Sequence, residues 1–314
     1  MMSATELSEH TKTRVAWLYF VEGLTQDEIV VQTGLNRSRV LRILAAAKQD
    51  GTVQIRVTAN LSKCVELERA LRERWGLTEA IVIPEPQNPE QTHAILGAQL
   101  GAYLSRTITN HTTIGLGWGR TLTSALPAIV PMRHEGVRVL SLLGGLTRVS
   151  NVNPSEFAWR VADRLSAECH LLTAPVFAPD RQIRDALKGH AGIAEIFSRA
   201  KSLDMAIVTV GALTPHSAFY EYGLLTHEEI ASLEAAGAVG DVLCHFIDEQ
   251  GRIVDHPVNE RVVAVAPDEL RGTRNIVLVS GGWNKLKAIR AALLLLRPSV
   301  LIVNELVAER LVAA

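Results

Sequence analysis

From Glu79 to the end of the chain, short apolar runs alternate with longer amphipathic stretches, and that alternation leaves few ways to fold. It is the pattern of parallel βαβ units, in which each strand is followed by a crossover helix. The strands expected are 80–83, 113–117, 137–143, 170–176, 205–210, 241–247, 262–265, 276–279 and 300–303. The best helical periodicity lies at 92–106, 155–168, 227–236 and 285–296. An α/β sheet with helices on both faces follows, and a ligand crevice in such a sheet lies outside the carboxyl ends of its strands.

Glycines mark those ends. Gly115-Leu116-Gly117-Trp118-Gly119-Arg120-Thr121 follows a strand and opens a helix. Backbone amides freed by small residues there, backed by a helix N-terminus, make a cradle for a phosphate or carboxylate, and Arg120 and Thr121 add donors. It matches neither the dinucleotide fingerprint nor a Walker A loop, and a tight turn without a ligand is the plainer alternative. Gly144-Gly145 follows the next apolar strand, and Ser280-Gly281-Gly282-Trp283-Asn284-Lys285 ends another, with Lys285 placed as a point charge for a phosphate or sugar oxygen. Gly211 marks a fourth end. Asp248, in Asp248-Glu249-Gln250-Gly251, either turns a hairpin or binds a hydroxyl. So many glycine-bearing ends in one sheet point to one crevice for a small oxygen-rich ligand.

The first part of the chain has a different grammar. Thr25 and Glu28 have capping-box spacing, so a helix starts at Gln26, with Ile29 and Val30 on its apolar face. Gly34 suits a tight turn that needs positive φ, and Asn36 caps a second helix. On that helix Val40, Leu41, Leu44 and Ala47 form the expected inward face, leaving Arg37, Ser38, Arg39 and Arg42 outward. This is the layout of a helix-turn-helix whose second helix enters the major groove of double-stranded DNA. Between Arg37 and Arg56 stand five basic residues and one acid, Asp50, a local balance of +4. Val53 to Val57 alternates like a short strand, a wing that carries Arg56 toward the DNA backbone. A helical hairpin with a solvated basic face is the bland alternative. An earlier stretch, Thr11 to Val21, suits a helix packed under the hairpin through Val15, Leu18, Tyr19 and Val21. After a polar joint at 58–61, a helix through Leu61, Val65, Leu67, Leu71 and Trp75 either packs on the large domain or meets a partner helix in a dimer.

The 314 residues suit two domains, expected at 1–58 and 59–314. A net charge of −1 does not fit a protein that coats nucleic acid along its length, whereas a locally basic module on a near-neutral body fits a sequence-specific regulator. No apolar run approaches a membrane span and no secretory leader opens the chain, so a cytoplasmic protein without membrane contact is expected. Three separated cysteines form no disulfide framework and are expected as reduced thiols, and the ten histidines lack ligand spacing, so no metal is expected. No cofactor motif and no nucleophile elbow is present, and no catalytic residue is assigned.

The motifs taken together resemble the SorC/DeoR-type sugar-binding transcriptional regulators of bacteria. The resemblance runs through EGLTQDEI, GLNRSRVLRILAAAKQDG, LGWGRTL, LLGGL, NPSEFAWRVADRL, TAPVF, VGAL, GAVGDVLCHFIDEQGRIVD, VSGGWNKLKAIRAALL and LIVNELVAERLV, in that order. It implies an N-terminal winged helix-turn-helix, with Thr25, Gln26, Asn36, Arg37, Ser38, Arg39 and Arg42 at operator DNA. It further implies an effector domain of the NagB/RpiA/CoA-transferase-like α/β fold, commonly assembled as dimers or tetramers. A sugar, polyol or phosphosugar effector would meet Gly117, Gly119, Thr121, Gly144, Gly145, Asp248, Gly281, Gly282 and Lys285, to which the reading of the anion loop adds Trp118 and Arg120. Trp118 and Trp283 would narrow the crevice or stack on a sugar. Asn304 stands where relatives carry an acid; either residue can cap a helix. Because the fold is shared with phosphosugar isomerases and CoA-transferases, an enzyme is the alternative reading.

Overall fold

The computed structural model describes residues 4–53, 61–146, 153–214 and 217–313. Of the expected wing strand at 53–57 and polar joint at 58–61, residues 54–60 lie outside the described residues.

Three helices form the N-terminal head: α1 (Ala4–Phe20), α2 (Gln26–Thr33) and α3 (Arg37–Gln49). They close over a small core of Val15, Leu18, Ile29, Val40 and Leu44. Thr25 and Glu28 make both hydrogen bonds of the capping box, and Gly34 ends α2 at φ 71°, as a left-handed turn requires. Two assignments of facing change. Val21 lies just past the end of α1 and is 60% exposed, and Leu41 is 46% exposed because it falls beside Arg42, outside the arc set by Val40, Leu44 and Ala47.

After α4 (Leu61–Trp75) comes a parallel sheet of β1 (Glu79–Ile83), β2 (Thr113–Leu116), β3 (Arg138–Ser141), β4 (Glu168–His170), β5 (Met205–Val208), β9 (Asn275–Val279) and β10 (Val300–Asn304), in the order β1-β10-β9-β5-β2-β3-β4. Side chains on these strands alternate between two apolar layers. Met205, Ile207, Val277, Val279 and Ile302 join one layer with α5 (Thr92–Thr107) and α7 (Pro154–Leu165). Ala206, Val208, Leu278, Leu301 and Val303 join the other, with α4, α9 (Ala191–Ala200), α11 (His227–Ala235), α13 (Leu286–Leu296) and α14 (Glu305–Ala313). In α4 the inward residues are Cys64 and Leu71, and Val65 is 54% exposed, so this helix packs on the large domain.

Four expected strands are rearranged. Stretch 170–176 shares only His170 with β4, and beyond it Pro175 makes an isolated bridge to Gly145. Stretch 205–210 divides at Thr209 into β5 and β6 (Val210–Ala212). Stretch 241–247 is a hairpin of β7 (Gly240–Val242) and β8 (His245–Ile247), turned by Leu243 and Cys244 at φ 50° and 63°. Two consecutive non-glycine residues at positive φ satisfy the type I′ geometry that periodicity could not show. With β6 they form a small antiparallel sheet, β6-β7-β8. Residues 262–265 form only isolated antiparallel bridges, to Leu143 and Phe177. The short helices α6 (Arg120–Thr123), α8 (Arg181–Gly189), α10 (Ala218–Glu221) and α12 (Pro257–Glu260) complete the chain.

Candidate functional site

On the head, Asn36 Oδ1 accepts from the Arg39 amide at 2.8 Å and fixes the start of α3. Arg37, Ser38, Arg39 and Arg42 are all exposed along its first two turns. Arg37 faces Asp27 at 3.6 Å, a pair exposed on both sides and therefore weak. Arg39 and Arg42 have no acidic partner among the described residues, and with Thr11, Lys12 and Asn36 they line a shallow groove between α1 and α3. Thr25 spends its hydroxyl on the capping box, leaving Gln26 as the first helical residue beside it.

At the carboxyl ends of β2, β5 and β9 lies a crevice of about 550 Å³. One wall is the turn after β2. Gly119 sits at φ 121°, where side chains are rarely tolerated, and opens α6. That helix is only four residues long, so it adds little dipole, and positive charge here comes from side chains. Thr121 is buried and its Oγ1 lies 2.9 Å from Nδ1 of His93 on α5. Burial, reinforced by the nearby Lys285 and Arg120, lowers His93 to about 4, so its imidazole is neutral at physiological pH. Arg120 stands at the rim, paired with Glu221 of α10.

The opposite wall is the turn after β9. Gly282 sits at φ 99°, and a Cβ on Gly281 would lie 2.6 Å from Asn304 Oδ1, so both positions exclude a side chain. Lys285 follows. Burial lowers its ammonium to about 8 against the pull of the nearby Asp241 carboxylate. Asp241 on β7 is 4% exposed, and burial raises it to about 6, although the Cys244 amide donates to it at 2.9 Å and Lys285 stands near. For both groups desolvation outweighs attraction, so a polar ligand that hydrogen-bonds to either one recovers part of that loss. Trp118 also lines the crevice, edge-on to Phe219 at 6.1 Å. Among the described residues, two lining hydroxyls, Thr209 Oγ1 and Ser217 Oγ, are buried without a hydrogen-bond partner, as is that of Ser280, next in the chain to the lining Gly281. Orphaned hydroxyls around a crevice are the counterpart of an oxygen-rich ligand.

The crevice gathers Trp118, Gly119, Arg120, Thr121, Gly281, Gly282 and Lys285. Four other candidates lie outside its lining. Gly117 continues β2, donating its amide to Ile207 at 2.8 Å. Gly144 and Gly145 let the chain at Ala174 and Pro175 approach closely, Gly145 exchanging hydrogen bonds with Ala174 and Val176. Asp248 closes a turn, accepting from the amides of Gln250 and Arg252 and pairing with Arg252 at 2.8 Å. Trp283 is 53% exposed at the rim, with the Arg310 guanidinium 5.2 Å from its ring. Asn304 does not cap α14 with its side chain: it accepts from the Gly282 amide and donates to Glu85, and Glu85 receives the Leu306 amide instead. Sequence reasoning missed Asp241, His93, Thr209 and Ser217. An acid inside an apolar strand was the available signal for Asp241; no local pattern marks the other three.

A larger cleft, about 640 Å³, opens at the amino ends of the strands between Tyr103, Asp204 and Asn275. None of its lining side chains has a buried polar atom left unpaired among the described residues, and it shows no comparable demand for a ligand.

The family model described as "Putative sugar-binding domain" matches residues 59–313. The erythritol catabolism regulatory protein EryD of Brucella abortus (strain 2308) is 30% identical over 301 residues, covering 95% of each chain. The deoxyribonucleoside regulator of Bacillus subtilis (strain 168) is 30% identical over 302 residues, again 95% of each. Among solved structures, the full-length sorbitol operon regulator SorC of Klebsiella pneumoniae superposes with a TM-score of 0.72 at 26% identity, covering 96% of this chain and 98% of that one. With a helix-turn-helix head, a parallel α/β sheet and a family match over most of its length, this chain belongs to the SorC/DeoR-type family of sugar-binding transcriptional regulators.

Proposed function

We propose that residues 1–58 bind operator DNA through α3 and that a small polyhydroxylated effector, a sugar, polyol or sugar phosphate, sets that affinity from the crevice of residues 59–314. The observation that carries it is the crevice itself: Lys285, Asp241, the Thr121–His93 pair and the hydroxyls of Thr209 and Ser217, unpaired among the described residues, converge on one space, in a chain whose head exposes Arg39 and Arg42 with no acidic partner among those residues. Arg39 and Arg42 pair with guanine edges or phosphates, and the exposed Leu41 is placed for a thymine methyl. Lys285 takes the anionic or most electron-rich oxygen of the effector, and Asp241 accepts from a hydroxyl. The protein works in the cytoplasm as a dimer or tetramer, without catalysis. No helix among the described residues is long and apolar enough to cross a membrane.

Fluorescence anisotropy of the full chain on its own upstream DNA, repeated with erythritol, sorbitol, 2-deoxyribose and their phosphates, tests this. Salt-sensitive binding that one ligand shifts is the expected result; no binding at any salt would sink the reading.

Enzymatic turnover is the second reading, favoured by one observation: Asp241, raised to about 6, faces Lys285, lowered to about 8, the kind of split pair that acid–base chemistry uses. Conversion of a sugar phosphate by the protein, abolished in Lys285→Met, would establish it.

A further inference from the structure

One continuous set of contacts leaves the crevice and ends on the first turn of α4, the first element after the head. Asn304 closes β10 and is fully buried. Its Oδ1 accepts from the Gly282 amide at 3.1 Å, and its Nδ2 donates to Glu85 Oε2 at 2.6 Å. The same Glu85 oxygen accepts from the Leu306 amide in α14 at 3.3 Å, and the Glu85 amide donates to Glu305 Oε2 at 3.3 Å. Glu305 Oε1 in turn lies 2.6 Å from Lys63 Nζ, which also pairs with Glu309 one turn further along α14. Two more interactions grip the same helix: Arg310 lies over the ring of Trp283 in the crevice loop, and Trp75 Nε1 donates to the Leu311 carbonyl at 3.2 Å. Helix α14 therefore touches the loop of Gly281 to Lys285 on one side and both ends of α4 on the other.

We propose that α14 transmits the state of the effector loop to α4, with Glu85 and Asn304 as positioning residues and the Lys63–Glu305–Glu309 cluster as the coupling contact. The inference rests on the crevice being the effector site. The loop and Asn304 are in direct contact, because Gly281 leaves no room for a Cβ beside Asn304 Oδ1 and the Gly282 amide donates to that same oxygen, so a shift of the amide acts on the Asn304 side chain. An amide is suited to this post: it presents an acceptor to Gly282 and a donor to the Glu85 carboxylate at once, which no carboxylate could do. At the far end the Lys63 pairs are partly exposed and therefore weak, so a ligand that favours one loop position can make or break them.

Amide hydrogen exchange on the full chain tests the coupling without DNA or effector. Lys63→Met changes an exposed side chain, so the fold is retained, and with both of its weak ion pairs gone the exchange of amides 282–286 should accelerate about two- to fivefold, although Lys63 touches none of them. The reverse experiment, Glu85→Ala, should accelerate amides 65–68 of α4. Faster exchange in Lys63→Met confined to α4 and α14, with 282–286 as in the parent, would overturn the proposal. Because neither DNA nor ligand enters the measurement, that outcome would leave the regulator reading standing, and absent DNA binding would leave the coupling standing.

Discussion

Asp241 and Lys285 hold charges that burial disfavours, and their behaviour can be predicted residue by residue. Lys285→Met should weaken the effector about 10-fold or more, the size of a hydrogen bond to a charged group, while DNA binding without effector stays at the parent level. The measurement is a calorimetric titration beside an anisotropy titration. Protonation supplies a second prediction. Burial holds His245 and His93 down near 4, so between about 4 and 6.5 the unfolded chain binds more protons than the folded one at these sites. Their contribution is fully present above 6.5 and is lost as pH falls through 4, up to about 3 kcal/mol for the fully buried His245. Asp241 has the opposite sign: its folded value, about 6, lies above the unfolded one, so its contribution is present below 3.8 and lost as pH rises through 6. Urea unfolding at pH 5 and pH 7 should therefore show lower stability at pH 5, and a larger difference in Asp241→Asn. An unchanged difference would remove the buried-charge account of Asp241.

At the scale of elements, short helices depend on their ends. Helix α2 has eight residues and relies on both bonds of its capping box, so Thr25→Ala should cost about 1 kcal/mol in thermal or chemical unfolding of the head. Asn36→Ala should cost a similar amount and also loosen the first turn of α3, where the arginines sit. Arg39→Ala and Arg42→Ala remove charge without touching a core residue, so they should weaken operator binding with the fold intact. For each arginine that neutralises a phosphate, its removal should reduce the log–log salt slope by about 0.9. A slope unchanged in both variants would place DNA on another face of the head. The capping residues, turn glycine and arginine spacing were all legible in the sequence because each depends on neighbours within four residues. The hairpin of β7 and β8 was not, since Leu243 and Cys244 adopt positive φ under tertiary packing and against their own preference.

For the whole molecule, regulation requires that the effector bind the DNA-competent and incompetent states with different affinity, and the coupling is reciprocal. Operator DNA should therefore change effector affinity by the same factor that effector changes DNA affinity. Paired titrations check this, and unequal factors at equilibrium would mean that the measured species differ in assembly. Sedimentation of each species, free and bound, separates that case.

The sequence alone determined the alternation of strands and helices that marks a parallel α/β sheet, the head with its caps and exposed arginines, and the glycine turns that end β2 and β9. These are written locally, in periodicity, capping and backbone freedom, so a linear reading reaches them. Only the tertiary structure decided which of the glycine ends share a space. It left Gly117, Gly144, Gly145 and Asp248 outside the crevice lining and brought Asp241, His93, Thr209 and Ser217 to it from separate elements. It also turned Asn304 toward Gly282 and Glu85, where a local reading would make it a helix cap. The physical reason is the strand order β1-β10-β9-β5-β2-β3-β4, which sets side by side strands that lie far apart in the chain. Desolvation and pairing then act on neighbours that no local pattern can name.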